Sequence, residues 1–150
     1  VKIEGDLLGR DEEFKDRVRI QPGQTYRGED VQQTVRAFTE LYGLYGYAFA
    51  RVDPRTDIDR AAGQVAVVLR ADPSRRVYVR RVNIAGNTRT RDEVIRREFR
   101  QFESSWYDGR KIKLSRDRVD RLGYFSEVNV DTTEVPGSAD QVDMTVTCSN

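Results

Sequence analysis

The stretch VNIAGNTRTRDEVI (Val82–Ile95) restates VKIEGDLLGRDEEF (Val1–Phe14) 81 positions later, sharing Val, Ile, Gly and the Arg-Asp-Glu triplet. Further echoes keep the same order. TYRG (Thr25–Gly28) faces WYDG (Trp106–Gly109), again at a separation of 81. GYAFARV (Gly46–Val52) faces GYFSEV (Gly123–Val128), and QVAVVL (Gln64–Leu69) faces QVDMTV (Gln141–Val146), with the separation slipped to 76 or 77 by what reads as a few loop residues. Self-similarity at near-constant spacing marks a repeated structural unit. The expected organisation is two copies, residues 1–74 and 75–150, each long enough to fold on a modest core.

Each copy opens on alternation, Val1 and Ile3, then Val82 and Ile84, the period of a half-buried strand. Gly5 and Gly86 end it. In the second copy Gly86-Asn87-Thr88 is turn chemistry, and Thr90 with Glu93 three residues on has capping-box spacing. A helix is expected over about Arg91–Phe102, with Ile95, Phe99 and Phe102 as its core face. The aligned stretch Asp11–Val18 is expected to be shorter, with Phe14 and Val18 as its apolar pair. A second helix carries Val31, Val35, Phe38, Tyr42 and Tyr45 in copy one and Ile112, Val119 and Leu122 in copy two, stopped by Gly46 and Gly123. The pair Trp106 and Tyr107 between the helices is expected to pack inside.

Two alternating strands close each unit, Val128 and Val130 being answered across VPGSADQ by Val142, Met144, Val146 and Cys148. In copy one the first hairpin strand contains Pro54, which has no N–H for a ladder and belongs on an edge. The expected fold is α+β: two tandem β-α-α-β-β units, each a three-stranded mixed sheet with two helices on one face. The linker Asp72–Arg76 is short and contains Pro, which is expected to restrict the angle between the units.

Charge and composition remove several function classes. With 26 basic against 25 acidic residues the net charge is +1, so no global field gathers a polyanion. Locally, Arg75–Arg100 carries nine Arg against three acids. There is no His and only one Cys, Cys148, so neither the usual zinc set nor an intrachain disulfide can be built. Cys148 has no His to activate it, and neither G-x-S-x-G nor a P-loop occurs. No catalytic, cofactor or metal site is expected. No run of about 18 apolar residues exists and no signal peptide is visible, which leaves either a cytosolic protein or a mature excerpt of an exported one, and the start in strand-like VKI favours the excerpt. The alternative function class is a KH-like tandem nucleic-acid-binding module, because β-α-α-β-β also opens the KH domain. Its G-x-x-G loop lies between the helices, whereas GLYG (Gly43–Gly46) here follows the second one.

The strings RRVNIAGNTRTRDEVIRREFRQFESSWYDG, RLGYFSEV and VPGSADQVDMTV resemble the last POTRA domain of the BamA family of outer-membrane protein assembly factors. The preceding copy resembles the POTRA domain before it, so the resemblance covers the whole chain. It implies a periplasmic scaffold without enzymatic activity, ahead of its own C-terminal β-barrel, that receives unfolded outer-membrane proteins and holds the lipoprotein subunit BamD, with no nucleic acid involved.

By the family's pattern the BamD surface falls on Arg96, Arg100 and Glu103, at i, i+4 and i+7 on the expected first helix of copy two. The competing role is mutual salt bridging, as between Arg100 and Glu103 at i, i+3. Glu103→Lys is expected to leave the fold within about 0.5 kcal/mol while abolishing or strongly weakening docking. Clients are expected to add a strand at the first hairpin strand of each unit, near Arg51–Ile58 and Glu127–Glu134, with Val128, Asn129, Val130 and Asp131 as the edge. Pro54 with Asp53, Arg55 and Asp57 blunts the edge of copy one.

Overall fold

A computed structural model describes Val1–Ser149. The chain forms two compact units, one made of Val1–Gly43 with Tyr47–Arg75, the other of Leu44–Gly46 with the residues from Arg76 onward.

In the first unit β1 (Lys2–Gly5), α1 (Asp11–Lys15), α2 (Gly28–Leu44), β2 (Arg51–Asp59) and β3 (Gln64–Asp72) follow one another. The sheet order is β1-β3-β2. β3 takes the middle, parallel to β1 and antiparallel to β2, and its alternation turns Val67, Leu69 and Ala71 into the core. α2 covers them with Val31, Phe38, Leu41 and Tyr42. The Phe14 ring of α1 lies 5.1 Å from that of Phe38 and 4.7 Å from that of Tyr42. Tyr42 is a core aromatic with a satisfied polar end: its hydroxyl donates to the Asp6 carbonyl at 2.6 Å. Burial, with Asp6 and Asp72 nearby, pushes its pKa up to about 12.

The second unit runs β4 (Tyr78–Ala85), α3 (Asp92–Arg96), β5 (Ser105–Trp106), α4 (Gly109–Asp120), β6 (Glu127–Glu134) and β7 (Gln141–Ser149). Its sheet order is β5-β4-β7-β6, again with the last strand inside, parallel to β4 and antiparallel to β6. Val142, Met144, Val146 and Cys148 of β7 are all fully buried, and burial pushes the Cys148 thiol up. The sheet is mixed, as expected, but gains a short fourth strand from Ser105–Trp106, where a loop was expected.

Two repeated devices explain parts of the sequence echo. Gly5 and Gly86 have φ of +112° and +78°, and a methyl group at Gly86 would stand 2.5 Å from the Cys148 carbonyl oxygen. At Gly5 it would stand closer still to that of Ala71. Only Gly lets the first strand turn off against the last one so tightly. The second device is a buried hydroxyl on the second helix. Thr34 Oγ1 donates to the Asp30 carbonyl and accepts from Arg19 N at 2.9 Å. Ser115 Oγ donates to the Lys111 carbonyl and accepts from Arg100 N at 2.7 Å and Gln101 N at 3.1 Å. In each unit the hydroxyl pins the chain that leaves the first helix.

Several expectations need correction. α3 stops at Arg96 instead of running to Phe102, so α1 and α3 are both five residues long and α1 is not the shorter. The periodicity past Arg96 is overridden because Ser115 takes the N–H groups of Arg100 and Gln101. Ile95 and Phe99 are buried as expected, but Phe102 is 59% exposed. Thr90 does not cap. Arg91 holds the N-cap position without a side-chain bond, and Asn87 Nδ2 instead donates to the Thr90 carbonyl and to Asp92 Oδ1, both at 2.7 Å. Nor is the slip in repeat spacing a loop effect: α2 has 17 residues and α4 has 12. Gly46 and Gly123 do take positive φ after these helices, +95° and +73°.

Candidate functional site

An antiparallel edge strand bonds inward with alternate residues and leaves the others' N–H and C=O groups to solvent. β6 is such an edge over its eight residues. Val135 N donates to the Gln141 carbonyl. Counting back by twos, the odd-numbered residues of β6 bond inward, and Val128, Val130 and Thr132 turn their main-chain groups outward. Val128 is buried and Val130 half-buried, with their side chains toward the core, while Asn129 and Asp131 are exposed. Tyr107, half-buried, shares a hydrogen bond with Thr132; burial pushes its phenol up, and that bond partly offsets the shift.

β2 holds the corresponding edge of the first sheet. Only Val52 of its nine residues is buried, and Ile58 is 61% exposed. Pro54 sits mid-strand opposite Leu69, with Asp53, Arg55 and Asp57 exposed around it. That edge lacks one donor and carries charge of both signs, two features that discourage added strands.

The three residues expected on one helical stripe are not on one helix. Arg96 ends α3, while Arg100 and Glu103 lie in the chain beyond it. The loop nevertheless brings Arg96 and Glu103 together, Arg96 Nη1 standing 3.4 Å from Glu103 Oε1 with both side chains nearly half exposed. Arg100 does not pair with Glu103; its Nη1 donates to the carbonyls of Arg97 and Phe99. Glu103 Oε1 also accepts from the main-chain N of Val82 at 3.0 Å. β5 pairs with β4 only at Tyr78 and Val79, and Ser104, at φ +61°, turns the backbone away. The Glu103 carboxylate therefore supplies the acceptor that a longer β5 would have offered.

Trp106, expected inside, is instead 45% exposed. The Arg76 guanidinium lies 4.3 Å over its ring and the Tyr78 ring meets it edge-on at 5.5 Å. Tyr78 donates its hydroxyl to the Ser104 carbonyl, locking the same turn. Beneath this loop lies Gln101, fully buried. Its Oε1 accepts from Asp108 N, and its Nε2 donates to Ser105 Oγ and the Trp106 carbonyl. Nothing in its spacing marks Gln101 as internal; the signal is visible only in three dimensions.

Asp143 on β7 pairs with Arg80 on β4 at 2.6 Å. That bond holds the Asp143 carboxyl below its usual range. Among the described residues no group of three or more His, Cys, Asp and Glu could hold a metal ion, and no helix is long and apolar enough to cross a membrane. Gly43 lies buried inside α2, so the G-x-x-G string is not a loop between helices.

The family model for POTRA, the surface antigen variable number repeat, matches residues 1–73 and again 77–148. The chain is 35% identical over 145 residues to the outer membrane protein assembly factor BamA of Neisseria meningitidis serogroup B, covering 96% of this chain and 18% of that protein. It thus spans less than a fifth of that relative. Among solved structures it is similar to POTRA3-5 of Haemophilus influenzae BamA, with a TM-score of 0.94 and 31% identity over 99% of this chain and 59% of that one. It also resembles BamA from Haemophilus ducreyi lacking POTRA domains 1-3, with a TM-score of 0.79 and 26% identity over 100% of this chain and 28% of that one. Two matched repeats, two β-α-α-β-β units and near-complete superposition on BamA POTRA domains give one conclusion: the chain belongs to the POTRA family.

Proposed function

We propose that the chain is a periplasmic segment of an outer-membrane protein assembly factor, ahead of that protein's β-barrel, and that it works as a scaffold and client-handling surface without chemistry of its own. The observation that carries the proposal is the free β6 edge in a unit that aligns with BamA POTRA domains. Unfolded outer-membrane proteins add a strand along Val128, Asn129, Val130 and Asp131. Main-chain pairing accepts many β-rich sequences, with side-chain pockets refining the choice. The lipoprotein subunit BamD docks on the surface around Arg96, Arg100 and Glu103, whose half-exposed ion pair offers charges of both signs to a complementary partner.

Site-specific photo-crosslinking tests the client path. A crosslinker at Asn129 or Thr133 is expected to capture an unfolded outer-membrane protein, and one at the exposed Leu114 of α4 is not. Capture at Leu114 alone overturns strand addition at β6. For docking, Glu103→Gln keeps an acceptor for Val82 but removes the charge, and a loss of BamD binding in a folded variant is the expected result; undiminished binding moves the docking surface elsewhere.

A further inference from the structure

The second unit is polarised along its sequence. All of its basic residues lie within Arg76–Arg121, and from Leu122 to the end there is no Lys or Arg against Glu127, Asp131, Glu134, Asp140 and Asp143. The hairpin that carries the free edge is therefore purely acidic. Asp143 is already matched by Arg80. Glu127 and Asp131 are not: both are exposed, and neither has an ion pair among the described residues. Across the ladder they face Ser149 and Thr145 of β7, with Asn129 facing Thr147 between them. None of those neighbours carries positive charge, so the whole solvent face of this edge shows two unmatched carboxylates four residues apart on one strand.

Side chains directly opposite each other on paired strands interact, opposite charges favourably and like charges unfavourably. Here a strand laid along β6 brings its own solvent-face side chains against Glu127, Asn129 and Asp131. We infer that the β6 edge selects extended protein segments with Lys or Arg at two positions four apart and a polar residue midway between them, and disfavours segments with acids there. This rests on the proposal that β6 receives clients, and adds a rule for which segment is taken first. The first unit has no such rule to offer. The exposed residues Arg51, Asp53, Arg55, Asp57 and Asp59 of β2 alternate in sign or nearly so and meet no single charge pattern.

The test uses the full chain and three otherwise identical nine-residue β-prone peptides with Lys, Ser or Glu at the two positions. Amide shifts and affinities are measured at low and at physiological salt. The Lys peptide is expected to bind about tenfold more tightly than the Glu peptide at low salt, with the Ser peptide between, from two cross-strand pairs changing sign. The amide shifts should centre on Val128–Thr132, and the advantage should shrink as salt screens it. Glu127→Lys with Asp131→Lys should reverse the ranking, and a partial reversal in either single variant also supports the inference. Equal binding of all three peptides with shifts on β6 overturns the charge rule while leaving strand addition standing. Shifts that spare β6 for every peptide overturn both. A Lys preference that survives in the double variant assigns the effect to charge elsewhere and overturns the inference.

Discussion

Glu103 Oε1 accepts the main-chain N–H of Val82 at 3.0 Å, so a side chain completes the ladder where β5 has ended. A carboxylate on a backbone N–H is a charge-assisted bond, and losing it strands a donor on a buried residue. Because the carboxylate is half exposed, water softens the loss. Glu103→Lys is expected to destabilise the second unit by about 1 to 2 kcal/mol, more than a surface reversal would, and Glu103→Gln by less than half of that. Urea unfolding of both variants measures it. Equal stability of Glu103→Lys and the parent would remove the structural role of this carboxylate.

The paired hydroxyls predict an asymmetry between the units. Ser115 satisfies two main-chain N–H groups and Thr34 only one. Ser115→Ala should therefore cost about 2 to 3 kcal/mol and Thr34→Val about 1 kcal/mol. In Ser115→Ala, hydrogen exchange should quicken first at Arg100 and Gln101.

Gly86→Ala and Gly137→Ala share a positive φ but differ in surroundings. A methyl group at Gly86 meets the Cys148 carbonyl, whereas one at Gly137 meets nothing within 4 Å. The first substitution should cost about 3 kcal/mol or more, from clash and backbone strain together, and the second about 1 kcal/mol. Thermal unfolding of the pair separates the two contributions.

Alkali should weaken the first unit through Tyr42. Its folded pKa of about 12 lies above the ordinary value of 10, so the folded state holds the proton more tightly than the unfolded one. That stabilisation is complete below pH 10 and disappears as pH climbs toward 12. A fall in stability across this window is expected by near-ultraviolet circular dichroism, and Tyr42→Phe should flatten the part that belongs to the first unit.

What could be read from the sequence followed how local the determining forces are. Strands β3 and β7 were legible because Val67, Leu69, Val142, Met144 and Val146 alternate by twos and bury by twos. The edge position of β6 was legible because a parallel return of the last strand forces it inside the hairpin. The end of α3 was not: Ile95, Phe99 and Phe102 keep helical spacing, but the chain obeys Ser115 and Gln101, partners 14 or more residues from what they hold or buried out of pattern. The stripe of Arg96, Arg100 and Glu103 failed with that helix. Only the Arg96–Glu103 contact forms, and a loop makes it, not a helical repeat.

The extra length of α2 enlarges the core of the first unit. α2 has 17 residues against 12 in α4, so the helix gains more than one full revolution. That added turn carries Leu41 and Tyr42 into the interior, past the point that corresponds to the end of α4 at Asp120.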